Sequence, residues 1–437
     1  LPDQPRTAPP RRTPERLRAL NRLRQFWHYL TKVFDLPRGL GGVRTDRPEA
    51  EIPTPPITLS LVLGAVVRLG SLLALQTATG RKGWQCLTGW AGPISDDAFM
   101  YALERYRLAD LRAVLVWVNR RLKANKVLDR AKIHGLLVVA LDANEQFKSR
   151  SRCCPACCQR TVTIRDRQGR LREVTEYYHR QVYAQLDGPE LSTVLDVEPI
   201  RPGEDEAQAA LRLLGRIRRL YGPRFFDVVT VDAWYAQGPW LRAVQKLGWG
   251  VVCVLKQERY AIYQEASALR EREPAMTWKT EGRQVRAWEV KDLPFTEPAL
   301  GPVRVVLAQE RWEQASRVAG QTLRAEQESH WRWIATRELD GDDRRVIWQI
   351  GHRRWGIENQ LFNVLTQHYH LTHCPHHHPV AILAWLLILV LGFVLFGVFA
   401  AIHGKLLALT HLPRKAIAEQ LHAALERWEE LEPLWSG

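Results

Sequence analysis

Apolar and polar positions recur with two different periods along this chain of 437 residues, helical at both ends and strand-like in the middle. Leu17, Leu20, Leu23, Phe26 and Leu30 fall at helical spacing, so a short helix is expected over residues 16–34, behind a disordered basic arm over 1–15 (Arg6, Arg11, Arg12). Gly and Pro then punctuate a linker from Pro37 to Pro56. Residues 58–128 are helical in pattern. Ser95-Asp-Asp-Ala is a good helix start, and Leu103, Tyr106, Leu108, Leu111, Val114 and Val118 follow on one face. From residue 134 the period shortens. Strands are expected at 135–142, 176–186 and 190–197, with Asp187-Gly188 as the hairpin turn between the last two. A helix at 205–220, a strand at 226–232, a helix at 237–247 and a strand at 249–256 come next. Short Trp- and Val-rich strands (283–290, 303–309, 331–336) break that alternation before helical pattern resumes near 343. Ile417, Leu421, Leu425, Trp428 and Leu431 stripe the last helix.

Three antiparallel strands followed by alternating helix and strand is the order of a ribonuclease H-like α/β sheet. The expected organisation is a Pro/Arg-rich arm and linker (1–57), a helical region for DNA binding or dimerisation (58–130), the first part of the core (131–256), a β-rich insertion (257–342), and the second part of the core with C-terminal helices (343–437). One segment strains a soluble reading. From Val380 to Ile402 no residue is charged, a length that would cross a bilayer, where roughly 20 apolar residues suffice. The alternative is a helix buried on all sides.

Charge narrows the partners. A formal net charge of +15 and a pI near 9.7 fit a polyanion, nucleic acid before an anionic membrane surface. Arg105, Arg107, Arg112, Arg120, Arg121 and Lys123 decorate the helical region, either as a solvated face or as a surface for DNA. Seven cysteines, four of them in Cys153-Cys154-Pro-Ala-Cys157-Cys158, do not make a secreted disulfide framework, and the chain shows no signal-peptide pattern. A reduced, cytoplasmic setting is expected.

Two apolar runs each end in a carboxylate: Gly135-Leu-Leu-Val-Val-Ala-Leu-Asp142 and Val228-Val-Thr-Val-Asp232. An acid at the end of a buried strand is costly unless paired, hydrogen-bonded or metal-bound. Neighbouring parallel strands would bring the two within reach of one divalent ion, and Glu358 in His352-Arg-Arg-Trp-Gly-Ile-Glu358-Asn would add a third oxygen from a helix. Magnesium suits few carboxylates and keeps positions for water and phosphate.

Arg354-Trp-Gly-Ile-Glu358 resembles the Arg-x3-Glu core of the signature helix in DDE transposases of bacterial insertion sequences. Asp232-Ala-Trp-Tyr resembles that family's second-aspartate strand end. Asp142-Ala-Asn-Glu-Gln-Phe through Cys154-Pro-Ala-Cys157 to Tyr177-Tyr-His179 is similar to the first-aspartate region of a branch with a Cys-x2-Cys pair. The resemblance covers roughly residues 134–256 and 330–400. It implies a ribonuclease H-like fold, Asp142, Asp232 and Glu358 as ligands of two Mg²⁺ or Mn²⁺ ions, and the apolar 380–402 helix packed inside the catalytic domain. It also implies a transposase acting on double-stranded transposon ends and target DNA, as a homodimer in the synaptic complex, without a membrane. Arg354 becomes the candidate phosphate contact beside the metals, with a salt bridge to Glu358 as its alternative role; His352 and Arg353 are further candidates for DNA contact. Two positions depart from the family signature. Its Tyr, three residues before the Arg, is Gly351 here, and its Lys, seven after the Glu, is Leu365. The alternatives of a metal-dependent nuclease or a domesticated, non-joining DNA-binding derivative use the same residues, and a non-catalytic binder would make the acids incidental.

Cys154-x2-Cys157 has the reach of a zinc knuckle. His179, or His373 and Cys374 in the stretch 368–378, could complete it, with Cys153 and Cys158 as alternative ligands; a reduced turn without metal is the competing reading, and DNA contact by the histidines a third.

Overall fold

The computed structural model describes residues 14–295, 297–318, 321–403 and 412–428. The arm with Arg6, Arg11 and Arg12, the side chains of Leu17 and Leu20, and Leu431 lie outside the described residues. The chain divides into two compact units: residues 1–114 with 368–437, and residues 115–367.

The first unit is helical. It opens with α1 (Pro14–His28), α2 (Leu36–Gly41), α3 (Thr54–Val66), α4 (Leu72–Thr79), α5 (Lys82–Thr88) and α6 (Asp96–Arg105), and α7 (Leu108–Ala124) runs on into the second unit. The Ser95 hydroxyl caps α6 by accepting from the Ala98 N–H at 3.1 Å. The continuous helical pattern expected from Leu103 to Val118 is interrupted at Tyr106, whose backbone is extended (φ −63°, ψ 136°). Several cations on this stretch are engaged within the fold: Arg107 pairs with Asp46 at 2.7 Å, while Arg120 donates to the Leu220 carbonyl and Lys123 to that of Phe225.

The second unit is built on a sheet that contains β1 (Val138–Ser149), β2 (Cys158–Arg165), β3 (Leu171–Asp187), β4 (Ser192–Pro199), β5 (Val228–Val231), β6 (Gly250–Val254), β7 (Met276–Thr280), β8 (Arg283–Leu293), β9 (Val303–Val318) and β10 (Gln321–Ala335). Helices α8 (Glu206–Tyr221), α9 (Gly238–Lys246), α10 (Ala261–Leu269), α11 (Arg344–Arg353) and α12 (Asn363–His368) accompany it. β4, β3 and β1 are antiparallel neighbours, and β5 and β6 continue the sheet parallel to β1, which is the ribonuclease H-like order. The parallel strands are covered on both faces, so Val138–Leu141, Val228–Val231 and Gly250–Val254 are buried without a break.

The β-rich insertion is a continuation of this sheet. β10 pairs antiparallel with β6, and the order runs on through β9, β8 and β7. An unpaired β6 edge would leave a row of backbone donors and acceptors without partners, and the insertion supplies them.

The last part of the chain, α13 (Pro379–His403) and α14 (Arg414–Glu426), belongs to the helical unit. α13 packs on α3 and α6, and 94% of its most apolar window is buried. A helix apolar all round needs an apolar partner, and α3 is buried at every position from Ile57 to Val66. Gly392 lets the two backbones approach, since a Cβ there would lie 2.7 Å from the Ala65 methyl. By length and composition α13 could also cross a membrane.

Candidate active site

The parallel pairing of β1 with β5 sets Val138 beside Val228 and Ala140 beside Thr230. Extending that register two residues brings Asp142 level with Asp232. The chain turns directly after Asp232, whose carboxylate accepts the Trp234 N–H at 2.9 Å and so fixes the short turn Ala233–Tyr235. Asp142 Oδ1 accepts the Ala143 N–H at 2.8 Å. Glu358 lies in a stretch of wide, π-helical turns, Ile357–Phe362, packed on β1 and β3. Between these acids sits Arg354, its side chain only 4% exposed, donating from Nη1 to Asp142 Oδ2 at 3.3 Å and to Glu358 Oε1 at 3.0 Å. The intrahelical salt bridge is therefore present, and the same guanidinium also reaches the strand.

Burial pushes the Asp142 carboxyl up to about 7, against the pull of Arg354 and of the Ala143 N–H; Glu206 and Glu358 add repulsion. Glu206, in the first turn of α8, went unread in the sequence, where it passed as one of three acids opening a helix. Burial raises its pKa too, the Tyr235 hydroxyl and Arg180 lower it, and Asp232 and Asp205 raise it.

The departures from the family signature have steric causes. A Cβ on Gly351 would meet Trp333 Nε1 at 2.2 Å, so an indole from β10 occupies the space a tyrosine would need. Leu365 is fully buried, where a lysine ammonium would be stranded. Gly356, inside the Arg-x3-Glu segment, faces Asp187 Oδ2 at 2.0 Å from an added Cβ; the helix can pass the buried carboxylate only without a side chain there.

A family model described as "Transposase DDE domain" matches residues 189–395, which include Asp232 and Glu358; Asp142 precedes the matched span. Residues 189–395 are thus similar to that domain family. No curated protein matches the chain. Among solved structures, the cryo-EM structure of the piggyBac transposase synaptic complex with hairpin DNA matches at a TM-score of 0.41 and 11% identity, over 96% of this chain and 81% of that one. The ribonuclease H-like assignment of the sheet rests on its strand order, not on that likeness.

Lys132, His134, Arg283, His352, Arg353 and Trp355 line a cleft of about 560 Å³, whose lining does not include Asp142, Asp232 or Glu358. His352 Nε2 lies 2.6 Å from Glu310, a fully buried carboxylate that also accepts from Trp348 Nε1 at 2.8 Å and Arg283 at 2.7 Å. The rings of Trp331, Trp333 and Trp348 surround this histidine. Arg353 reaches the Gly188 carbonyl at 3.5 Å.

A second group of chemistry-bearing side chains stands at the far end of β1 and β3. The loop between β1 and β2 turns at Cys154–Cys157 through a Cys157 N–H to Cys154 C=O bond of 3.0 Å. The two sulfurs are 3.8 Å apart, and His179 Nε2, from β3, is 3.5 Å from Cys154 Sγ and 3.2 Å from Cys157 Sγ. Cys158 turns instead to the Ile200 carbonyl, and Cys153 is exposed.

Proposed function

We propose that this chain cuts phosphodiesters at the ends of a mobile element and joins the freed 3′-OH to target DNA, in the cytoplasm of a prokaryotic cell. The observation that carries the reading is the parallel register of β1 on β5, which extended by two residues sets Asp142 level with Asp232, with Glu358 tied to Asp142 through Arg354. The donors are all hard oxygens, and a partly desolvated carboxyl like that of Asp142 is relieved by a cation, so the residues fit Mg²⁺ or Mn²⁺. Two such ions would supply activation of the attacking oxygen and stabilisation of the leaving one. Asp142 and Asp232 would hold one ion jointly, and Glu358 the other. With the acids neutralised, Arg354 can turn its planar guanidinium to the scissile phosphate and hold it with two hydrogen bonds. Arg353 and His352 would guide the strand along the basic cleft, where phosphate neutralisation makes binding salt-sensitive. Two protomers are needed to bring two ends together.

The test is cleavage of labelled linear DNA bearing the element's inverted repeats, with Mg²⁺, Mn²⁺ or EDTA, beside Asp142→Ala. The expected result is metal-dependent cutting at the repeat ends that the substitution lowers by about three orders of magnitude, the loss of roughly 4 kcal/mol of transition-state stabilisation. Binding without cutting, equal in both proteins, would make the chain a DNA-binding derivative. Cutting without joining would make it a nuclease.

The Cys154, Cys157 and His179 group supports a structural zinc. A tetrahedral zinc with Zn–S near 2.3 Å sets its sulfurs about 3.8 Å apart, the separation found here. Burial holds the Cys157 thiol up at about 11, so binding would have to displace its proton. Elemental analysis of protein purified without added metal should give about one zinc per chain, and Cys157→Ser should lose it.

A further inference from the structure

The turn that carries Asp232 is fastened to a helix that the reaction scheme leaves unused. α8 opens with Asp205 as its N-cap residue and Glu206 as its first helical residue. Trp234 Nε1, two residues past Asp232, donates to Asp205 Oδ1 at 3.2 Å. Tyr235 Oη, one residue further, donates to Glu206 Oε1 at 2.7 Å, and that ring is fully buried. The other oxygen of Glu206 takes Arg180, from β3, at 2.6 Å. Glu206 therefore joins the strand next to β1 to the turn that follows β5.

A surface ion pair with Arg180 would not need these surroundings. Glu206 is largely buried, its charge is felt by Asp142, and it is itself raised by the charge of Asp232, so its position costs electrostatic energy that a merely structural acid would avoid. What it obtains is a fixed acceptor for Tyr235. The Asp232 turn is only three residues long, Ala233–Tyr235, and its middle residue, Trp234, is exposed. Its other anchors include the Asp232 cap on Trp234 N–H, the hydrogen bond from exposed Trp234 to Asp205, the Cys253 thiol on the Asp232 carbonyl at 3.1 Å and the packing of the Tyr235 ring on Trp240. The Tyr235–Glu206 bond is part-buried, less exposed than the two at Trp234, and a hydrogen bond to an ionised group is stronger than a neutral one.

We propose that Glu206, acting through Tyr235, is a positioning residue that holds the Asp232 carboxylate at the level of Asp142, so that the two can share one divalent cation. The inference rests on the transposase reading of the carboxylates Asp142, Asp232 and Glu358. It assigns Glu206 no contact with metal or DNA; its part is to supply an oxygen acceptor at a fixed place. That makes a specific pattern of substitution expected. Tyr235→Phe removes the donor and Glu206→Ala the acceptor, while Glu206→Gln keeps an oxygen in the acceptor position.

The experiment measures Mn²⁺ affinity of the full chain by electron paramagnetic resonance, without DNA, together with melting temperature and DNA cleavage as a function of Mn²⁺. Tyr235→Phe and Glu206→Ala are expected to weaken Mn²⁺ binding by about tenfold, the effect seen for outer-shell partners of metal ligands. Glu206→Gln is expected to stay within about threefold of the parent. Equal loss in Glu206→Gln and Glu206→Ala would overturn the proposal, because it would assign the effect to charge or direct ligation. Unchanged affinity in Tyr235→Phe and Glu206→Ala, with only a lower melting temperature, would overturn it in favour of a packing role. Asp142→Asn is the internal standard: if it leaves Mn²⁺ affinity intact, the reading of these carboxylates as a metal site itself fails and takes this inference with it.

Discussion

The β1–β3 ladder has chemically opposite ends. Asp142 pairs with Tyr183 in the register, and Gln146, four residues on, pairs with His179, a separation of about 13 Å at strand rise. At one end the donors are carboxylate oxygens, bridged by a buried guanidinium and covered by the Glu358 segment. At the other they are two thiols and an imidazole, brought together by a loop of the same strand. Hard oxygens suit magnesium or manganese and leave room for water and phosphate; sulfur with imidazole suits zinc and closes around it. One pair of strands can thus serve chemistry at one end and rigidity at the other, and the choice is made by what packs on top.

That comparison can be broken by removing one end at a time. Asp232→Asn should lower DNA cleavage by about three orders of magnitude while leaving zinc content unchanged, read by cleavage rate and elemental analysis on one preparation. Cys157→Ser should do the converse in kind: zinc lost, melting temperature down by roughly 5 °C or more, and cleavage reduced less than in Asp232→Asn. Equal cleavage losses would mean that the two ends are not separable. Gly351→Ala, which drives a methyl into Trp333, should destabilise the protein by about 1–3 kcal/mol in denaturant titration. A smaller effect should come from Asp142→Asn in metal-free protein. The folded-state carboxyl, at about 7, lies above its unfolded value near 3.9, so the stability it contributes is full below pH 4 and lost as pH rises through 7. The substitution should remove that slope and raise the melting temperature at pH 8 by a few degrees. No gain there would mean that Asp142 is not desolvated in the metal-free state.

The sequence made the acids legible because their signal is local. An apolar strand that stops at Asp shows in the pattern, and adjacency of the two strands followed from the expected order. The Cys-x2-Cys turn was equally local, though its partner among His179, His373 and Cys374 was not; the strand register selects His179 for the pair within this unit. β2 was missed because exposed Arg and Thr alternate with half-buried Val162 and Ile164, a faint strand signal on a sheet edge. The insertion was read as an interruption because pairing partners are invisible in a linear pattern, and only the β6–β10 register makes it one sheet. Glu206 and Tyr235 stayed hidden for a related reason. Neither residue is unusual at a helix start or after a strand, and their significance lies in a contact across 29 positions of sequence. Uniform apolarity in α13 says that a helix is covered and not by which helices; its contacts with α3 and α6 are not legible in it.

The account stands on a divalent cation shared by Asp142 and Asp232. A crystal of the full chain grown with Mn²⁺, with anomalous diffraction recorded near the manganese edge, tests it directly. The expected result is a peak roughly 2.0–2.2 Å from a carboxylate oxygen of each aspartate. Crystals holding Mn²⁺ at concentrations that support cleavage, with no peak between these two residues, would contradict it.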